Sequence, residues 1–307
     1  MPTDKITSGG TTMTVLTLAG TDVPGEDVDD ALTRDGAVLL RGLGLRTPEE
    51  FHSLVSTFGS PMTSYRGGNT PRRKVTTGVF TSTEYPAEYP ISPHNELSYA
   101  HHWPARLFFC CLVPARTGGA TPVCDGRAVL ADLAEDTRDR FERHGVVYRQ
   151  QLHGGYGFGK SWQDTYQTSD AAAVETFLRD TETEFAWTDD GGLRTAQLRP
   201  AVLRRSVTGE LIWFNQAEQW HPSGLPAEEA EALLTLVETE AELPHSVTFG
   251  DGTPIDAADL HEVRDAVRRN TLSVPWAAGD VMIVDNELVM HGREAFTGER
   301  RVLVSMT

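Results

Sequence analysis

The sequence predicts a mainly β chain with inserted helices (α+β) that closes as a double-stranded β-helix, or jelly roll, and three observations support this. Short apolar runs recur along the whole length, at 37–41, 106–113, 145–148, 211–214, 281–284 and 302–304. Gly, Asp, Asn and Pro cluster between them, which is the punctuation of strands. The regular strand–helix alternation of a parallel nucleotide-binding sheet is missing, so two packed sheets are the simpler closure for 307 residues.

Residues 1–12 are polar and rich in Gly and Thr, so they are expected to be disordered, with a single domain over 13–307. Residues 37–41 read as a buried strand. Thr47-Pro48-Glu49-Glu50-Phe51 reads as a helix start, with the cap residue followed by Pro at the first helical position. Between 63 and 93 no period is sustained, which suggests a long irregular excursion of the kind that forms lids. An apolar strand at 106–113, the Gly118-Gly119 turn and a helical stretch over 126–144 follow.

With 44 acidic against 27 basic residues the formal charge is -17, which argues against nucleic acid as a partner. Cys110, Cys111 and Cys124 make an odd count without C-x-x-C spacing, so a reducing, cytoplasmic setting is expected. No basic segment followed by an apolar block opens the chain and no apolar run reaches spanning length, so neither export nor a membrane is expected. Oligomeric state is not legible.

The sharpest local feature is His94-Asn95-Glu96, in a segment that reads as extended. Residues two apart on a strand share a face, so His94 and Glu96 could hold one ion together. His291 follows the apolar strand at 281–284. Two histidines and one carboxylate form the facial set that leaves positions open on non-haem Fe(II) for O2 and a bidentate ligand. Arg300 and Arg301 open a β-type run beyond His291, and either could offer a guanidinium fork to a carboxylate. Thr121, after the Gly-Gly turn, adds a hydroxyl.

The segments 93–99, 114–121, 213–216, 279–286 and 291–303 together resemble the taurine dioxygenase and TfdA-like superfamily, nearest the branch holding the syringomycin-pathway aspartyl hydroxylase. The resemblance implies a jelly-roll Fe(II)/2-oxoglutarate-dependent dioxygenase that takes O2, releases succinate and CO2, and hydroxylates an unactivated C–H. The implied substrate is a small amino acid or its derivative, free or tethered to a carrier protein, and the implied setting is antibiotic or other natural-product biosynthesis. It implies His94, Glu96 and His291 as iron ligands and Thr121 and Arg301 as the 2-oxoglutarate site. Asn95, Asn215 and Arg293 are candidate substrate contacts, and no catalytic side chain beyond the metal site is expected.

Two departures matter. The metal carboxylate is Glu96 where taurine dioxygenase has Asp, a variation the family's clavaminate-synthase-like members share, and a carboxylate there implies oxygenation rather than halogenation. The second arginine of the taurine pattern would lie near Ser305 and is missing, which disfavours sulfonates.

Three rival readings compete with this one. Gly154-Gly155-Tyr156-Gly157-Phe158-Gly159-Lys160-Ser161 satisfies the G-x-x-x-x-G-K-[ST] pattern of a phosphate-binding loop. A non-catalytic metal-binding jelly roll could use His101 and His102. A zinc hydrolase could use two histidines and a glutamate, although H-E-x-x-H is missing.

Overall fold

The run at 37–41 becomes an inner strand of an eight-stranded sheet, because its side chains are apolar on both faces and both faces are covered. The computed structural model describes residues 2–68 and 72–307. In spatial order this sheet runs Thr3–Ser8, Thr11–Thr17, Ala37–Arg41, Val281–Asp285, Arg106–Val113, Arg301–Met306, Val79–Thr81 and Lys74–Thr76. Among the described strands only Thr11–Thr17 and Ala37–Arg41 pair in parallel, and the helix Gly25–Asp35 provides the crossover such a pair requires.

Alternation along these strands divides the apolar residues into two cores. Val38, Leu40, Phe108, Cys110, Ile283 and Leu303 pack under the helices Gly25–Asp35 and Pro48–Ser56. Leu39, Phe109, Met282, Val302, Val304 and Met306 point the other way, into the larger core. Across that core lies a four-stranded sheet of Thr271–Leu272, Val123–Asp125, Val289–Arg293 and Ile91–His94. Two sheets facing each other across one core give the expected jelly roll. A third sheet, Glu184–Trp187, Leu193–Arg199, Val146–Leu152 and His245–Phe249, extends the body.

The helix start at Thr47 forms as read. Thr47 Oγ1 accepts from Glu50 N at 3.2 Å, Glu50 Oε2 accepts from Thr47 N at 3.1 Å, and Pro48 opens the helix. The stretch 126–144 is two helices, Gly126–Asp132 and Glu135–His144, interrupted at Leu133.

The expectation of disorder over 1–12 is corrected: Thr3–Ser8 pairs antiparallel with Thr11–Thr17 along its whole length. An edge strand gains its order from the backbone ladder and needs little apolar burial, so a polar composition did not reveal it. The turn is pinned where Gly10 N donates to Asn270 Oδ1 at 2.7 Å, and a Cβ on Gly9 (φ 54°) would lie 2.2 Å from the Arg269 carbonyl oxygen. The excursion at 63–93 is largely irregular, as expected, but it adds two short strands to the large sheet and buries Tyr65 and Phe80. Residues 69–71 of it lie outside the described residues. Among those described, no helix is long and apolar enough to cross a membrane.

Candidate metal centre and cofactor cleft

His94 and His291 are direct cross-strand partners on the inner face of the smaller sheet, with ring centroids 4.6 Å apart. His291 also packs on Phe109 of the facing sheet at 5.1 Å, so the pair sits between the two layers. A Cβ on Gly292 would come 2.5 Å from the Ile91 carbonyl oxygen, so a glycine is needed where these strands approach through a bulge.

Glu96 reaches the same point by a different route from the one its spacing suggested. The strand ends at His94, the chain turns, and Leu97 takes a left-handed φ of 57°. The turn is held by Asn286, whose Oδ1 accepts from Glu96 N at 2.7 Å and whose Nδ2 donates to the carbonyls of Glu96 (3.0 Å) and Pro104 (2.9 Å). One ligand atom from each of His94, Glu96 and His291 lies within 4.8 Å of the other two, and all three residues are buried. His101 and His102 meet edge to face outside this cluster and line a separate cavity.

The donor set is poised for a cation. The ring edge of His94 carrying Nδ1 faces the Ser92 carbonyl oxygen at 2.9 Å, so a proton there leaves Nε2 with its lone pair free. Burial keeps the His94 ring neutral, opposed by the Glu96 charge, and burial reinforced by His94 and Arg72 pushes His291 well below the usual histidine range. Neutral imidazoles are the form that ligates metal. Glu96 accepts from the Tyr65 hydroxyl at one oxygen and from Arg72 at the other, 2.5 Å away.

Next to the cluster a narrow cleft is lined by Arg72, Ser82, Phe109, Thr121, His291 and Arg300. Thr121 is buried, and its Oγ1 accepts from Trp276 Nε1 at 3.2 Å and from Arg300 Nη2 at 3.5 Å, which leaves its own proton to donate. Arg300 also donates to the Gly119 carbonyl at 2.8 Å and to Ser82 Oγ at 3.3 Å. All its described partners are neutral, and burial together with nearby Arg293 pulls its guanidinium down to about 10. Arg301, the arginine the resemblance assigned, is exposed and does not line the cleft. Val302, Val304 and Met306 face the inner core and Leu303 the outer one, so position 300 shares the inner parity and 301 the outer. Ser305 is buried and donates to the Gly78 carbonyl at 2.6 Å, so no charge stands there.

The three candidate substrate contacts are all engaged structurally. Asn95 Nδ2 donates to the carbonyls of Asn286 (2.7 Å) and Glu287 (3.2 Å). Asn215 donates to the Ala201 carbonyl at 3.0 Å and accepts from Ala217 N at 3.1 Å. The Arg293 guanidinium is surrounded by the carbonyls of Thr83, Tyr85, Pro86 and Tyr89, at 2.6 to 3.5 Å. Its task is to fasten the 83–89 loop over the cleft. Arg293→Ala is expected to destabilise the protein by about 2–4 kcal/mol through unpaired carbonyls and to speed proteolysis within 83–89. A drop in 2-oxoglutarate affinity with stability unchanged would return Arg293 to the ligand-binding set.

The glycine-rich loop is not a phosphate cradle. The strand before it belongs to an antiparallel sheet, the helix after it, Trp162–Tyr166, has five residues, and Lys160 Nζ donates to the Gly68 carbonyl at 2.9 Å.

The fold and this constellation define a class. The taurine catabolism dioxygenase TauD, TfdA family model matches residues 10–307, and the chain belongs to that family: it is an Fe(II)/2-oxoglutarate-dependent oxygenase. The chain is 35% identical over 279 residues to the dapdiamide synthesis protein DdaC of Enterobacter agglomerans, covering 91% of this chain and 84% of that protein. It is 32% identical over 288 residues to a clavaminate synthase-like protein of Arabidopsis thaliana, covering 91% and 83%. Among solved structures it superposes on PvcB of Pseudomonas aeruginosa with a TM-score of 0.57 at 15% identity, covering 96% of this chain and 84% of that one. This last likeness bears on the fold alone.

Proposed function

We propose that His94, Glu96 and His291 hold the Fe(II), that Thr121 and Arg300 hold the distal carboxylate of 2-oxoglutarate, and that the enzyme hydroxylates a small amino-acid-derived substrate in a natural-product pathway. The observation that carries the cofactor site is Arg300, a half-buried cation with no described counter-ion, in the same cleft as the ligand cluster. A desolvated guanidinium next to a donating hydroxyl calls for a carboxylate.

When bound, Fe(II) and 2-oxoglutarate supply the oxidising chemistry: O2 is consumed, 2-oxoglutarate becomes succinate and CO2, and a substrate C–H becomes C–OH. The protein orients and shields the reactants. The Ser92 carbonyl fixes the His94 ring by accepting from Nδ1, and is itself held by Gln219 Nε2, which donates to it at 2.8 Å, while Asn286 fixes the Glu96 turn. Phe109 packs against the His291 ring on the inner side.

A cavity of about 640 Å³ reaches the cluster at His94 alone, and the substrate's size is suggested by the one that meets both His94 and Glu96, of about 170 Å³, walled by Tyr99, Gln216, Trp220 and His245. That is below the roughly 300–1,000 Å³ of drug-sized pockets and suits a small molecule. The aromatic walls of Tyr99 and Trp220, 4.9 Å apart, can attract an ammonium group. The relationship to a dapdiamide synthesis protein points to the same substrate class, either free or presented by a carrier protein.

Anaerobic addition of Fe(II) and 2-oxoglutarate to the metal-free protein is expected to produce a visible charge-transfer band. In air, succinate release should rise with one or more small amino acids or their acyl derivatives. A correctly folded protein without the band would overturn the cofactor site, and a band without amino-acid-stimulated turnover would overturn the substrate class.

A further inference from the structure

The side chain of Arg72 is as buried as the metal ligands, 3% exposed, although it arises from the irregular excursion rather than from a strand. Its guanidinium lies 5.1 Å over the Tyr65 ring and donates one Nη to Glu96, while its Nε–H is buried with no acceptor among the described residues. The same side chain lines the cleft that holds Thr121 and Arg300. Counting charges shows why this matters. With Fe(II) and 2-oxoglutarate in place, the dication, Glu96, the dianion and Arg300 cancel, both histidines are neutral, and Arg293 is surrounded by carbonyls. Arg72 then remains as one buried positive charge whose only anion, Glu96, is shared with the metal. An uncompensated buried cation is costly, and a second anion relieves it.

We propose that Arg72, which lines the cofactor cleft and meets the substrate cavity through Glu96, is the substrate's anion receptor, pairing with a carboxylate of the amino-acid-derived substrate when the metal draws on Glu96. This rests on the cofactor site argued above and narrows the substrate class to carboxylates. A guanidinium with one Nη on Glu96 and a free Nε–H can keep its hold on the metal carboxylate while taking up a second anion.

The test uses the anaerobic Fe(II)·2-oxoglutarate enzyme and two kinds of matched probe: acetate against acetamide, and the free L-amino acids against their primary amides. Binding is read as a shift of the charge-transfer band and by calorimetry. At least one carboxylate is expected to bind ten or more times tighter than its amide, with the preference falling to within twofold in Arg72→Gln and partly kept in Arg72→Lys. No carboxylate preference in the native enzyme, or an unchanged preference in Arg72→Gln, overturns the proposal. A purely positioning role for Arg72 would weaken Fe(II) binding in Arg72→Gln and leave the carboxylate-to-amide ratio unchanged. Loss of the band in the native protein would instead sink the cofactor site itself, so the two failures are distinguishable.

Discussion

Glu96→Gln is expected to lower Fe(II) affinity by at least about 1,000-fold, or ~4 kcal/mol, and to abolish turnover, although the two side chains have nearly the same shape. The charge is what matters. Glu96 is 2% exposed, its oxygens accept from Tyr65 and Arg72, and its Oε2 lies 3.7 Å from His291 Nε2. An amide there presents the cation with one neutral oxygen and leaves Arg72 buried without an anion. Breaking such a pair costs about 3–5 kcal/mol, so the metal-free variant should also unfold at lower denaturant. The second substitution Arg72→Met separates the two effects. Glu96→Gln/Arg72→Met should regain most of the stability, because both charges are gone, while Fe(II) binding stays lost. Denaturant melts and iron stoichiometry read the two quantities independently. If the double variant bound iron normally, Glu96 would not be a ligand.

The parts of the site that were legible in the sequence are those carried by residue type at fixed spacing. His94, Glu96 and His291 could be picked out because few other roles need two histidines and a carboxylate flanking strands, although the turn after His94 was not anticipated. Asn95, Asn215 and Arg293 share a structural task that their sequence context does not reveal. Polar residues near a ligand set look functional in sequence, but the buried backbone of loops around a jelly-roll mouth also needs donors, and those three side chains supply them. Asn286 had no signal of its own, since its partners, Glu96 and Pro104, are 190 and 182 residues away. Tyr65 and Arg72 come from a segment without period, where sequence gives no indication of which side chains turn inward. The first strand was missed because ladder pairing at an edge leaves no apolar pattern.

Arg300→Ala is expected to weaken 2-oxoglutarate between about 30-fold and several thousand-fold, the 2–5 kcal/mol of a truncated charge pair, while Arg301→Ala stays within about twofold. The sequence offers no means of choosing between them. The run that follows, Val302 to Met306, is buried throughout, so no polar alternation marks which parity faces in. Packing supplies the choice: Val302, Val304 and Met306 lie in the inner core with Phe109, and a bulge between Arg301 and Val302 resets the pairing at the strand's start. Arg300 therefore meets Thr121, and Arg301 meets solvent. Arg300→Lys should recover only part of the affinity, because an ammonium keeps the charge but loses the fork that also reaches Gly119 and Ser82. Titrating the charge-transfer band against 2-oxoglutarate ranks all three variants in one assay. A tenfold or greater loss in Arg301→Ala with Arg300→Ala near native would mean that the strand is one residue out of register, and that the cleft at Thr121 is lined by the other guanidinium.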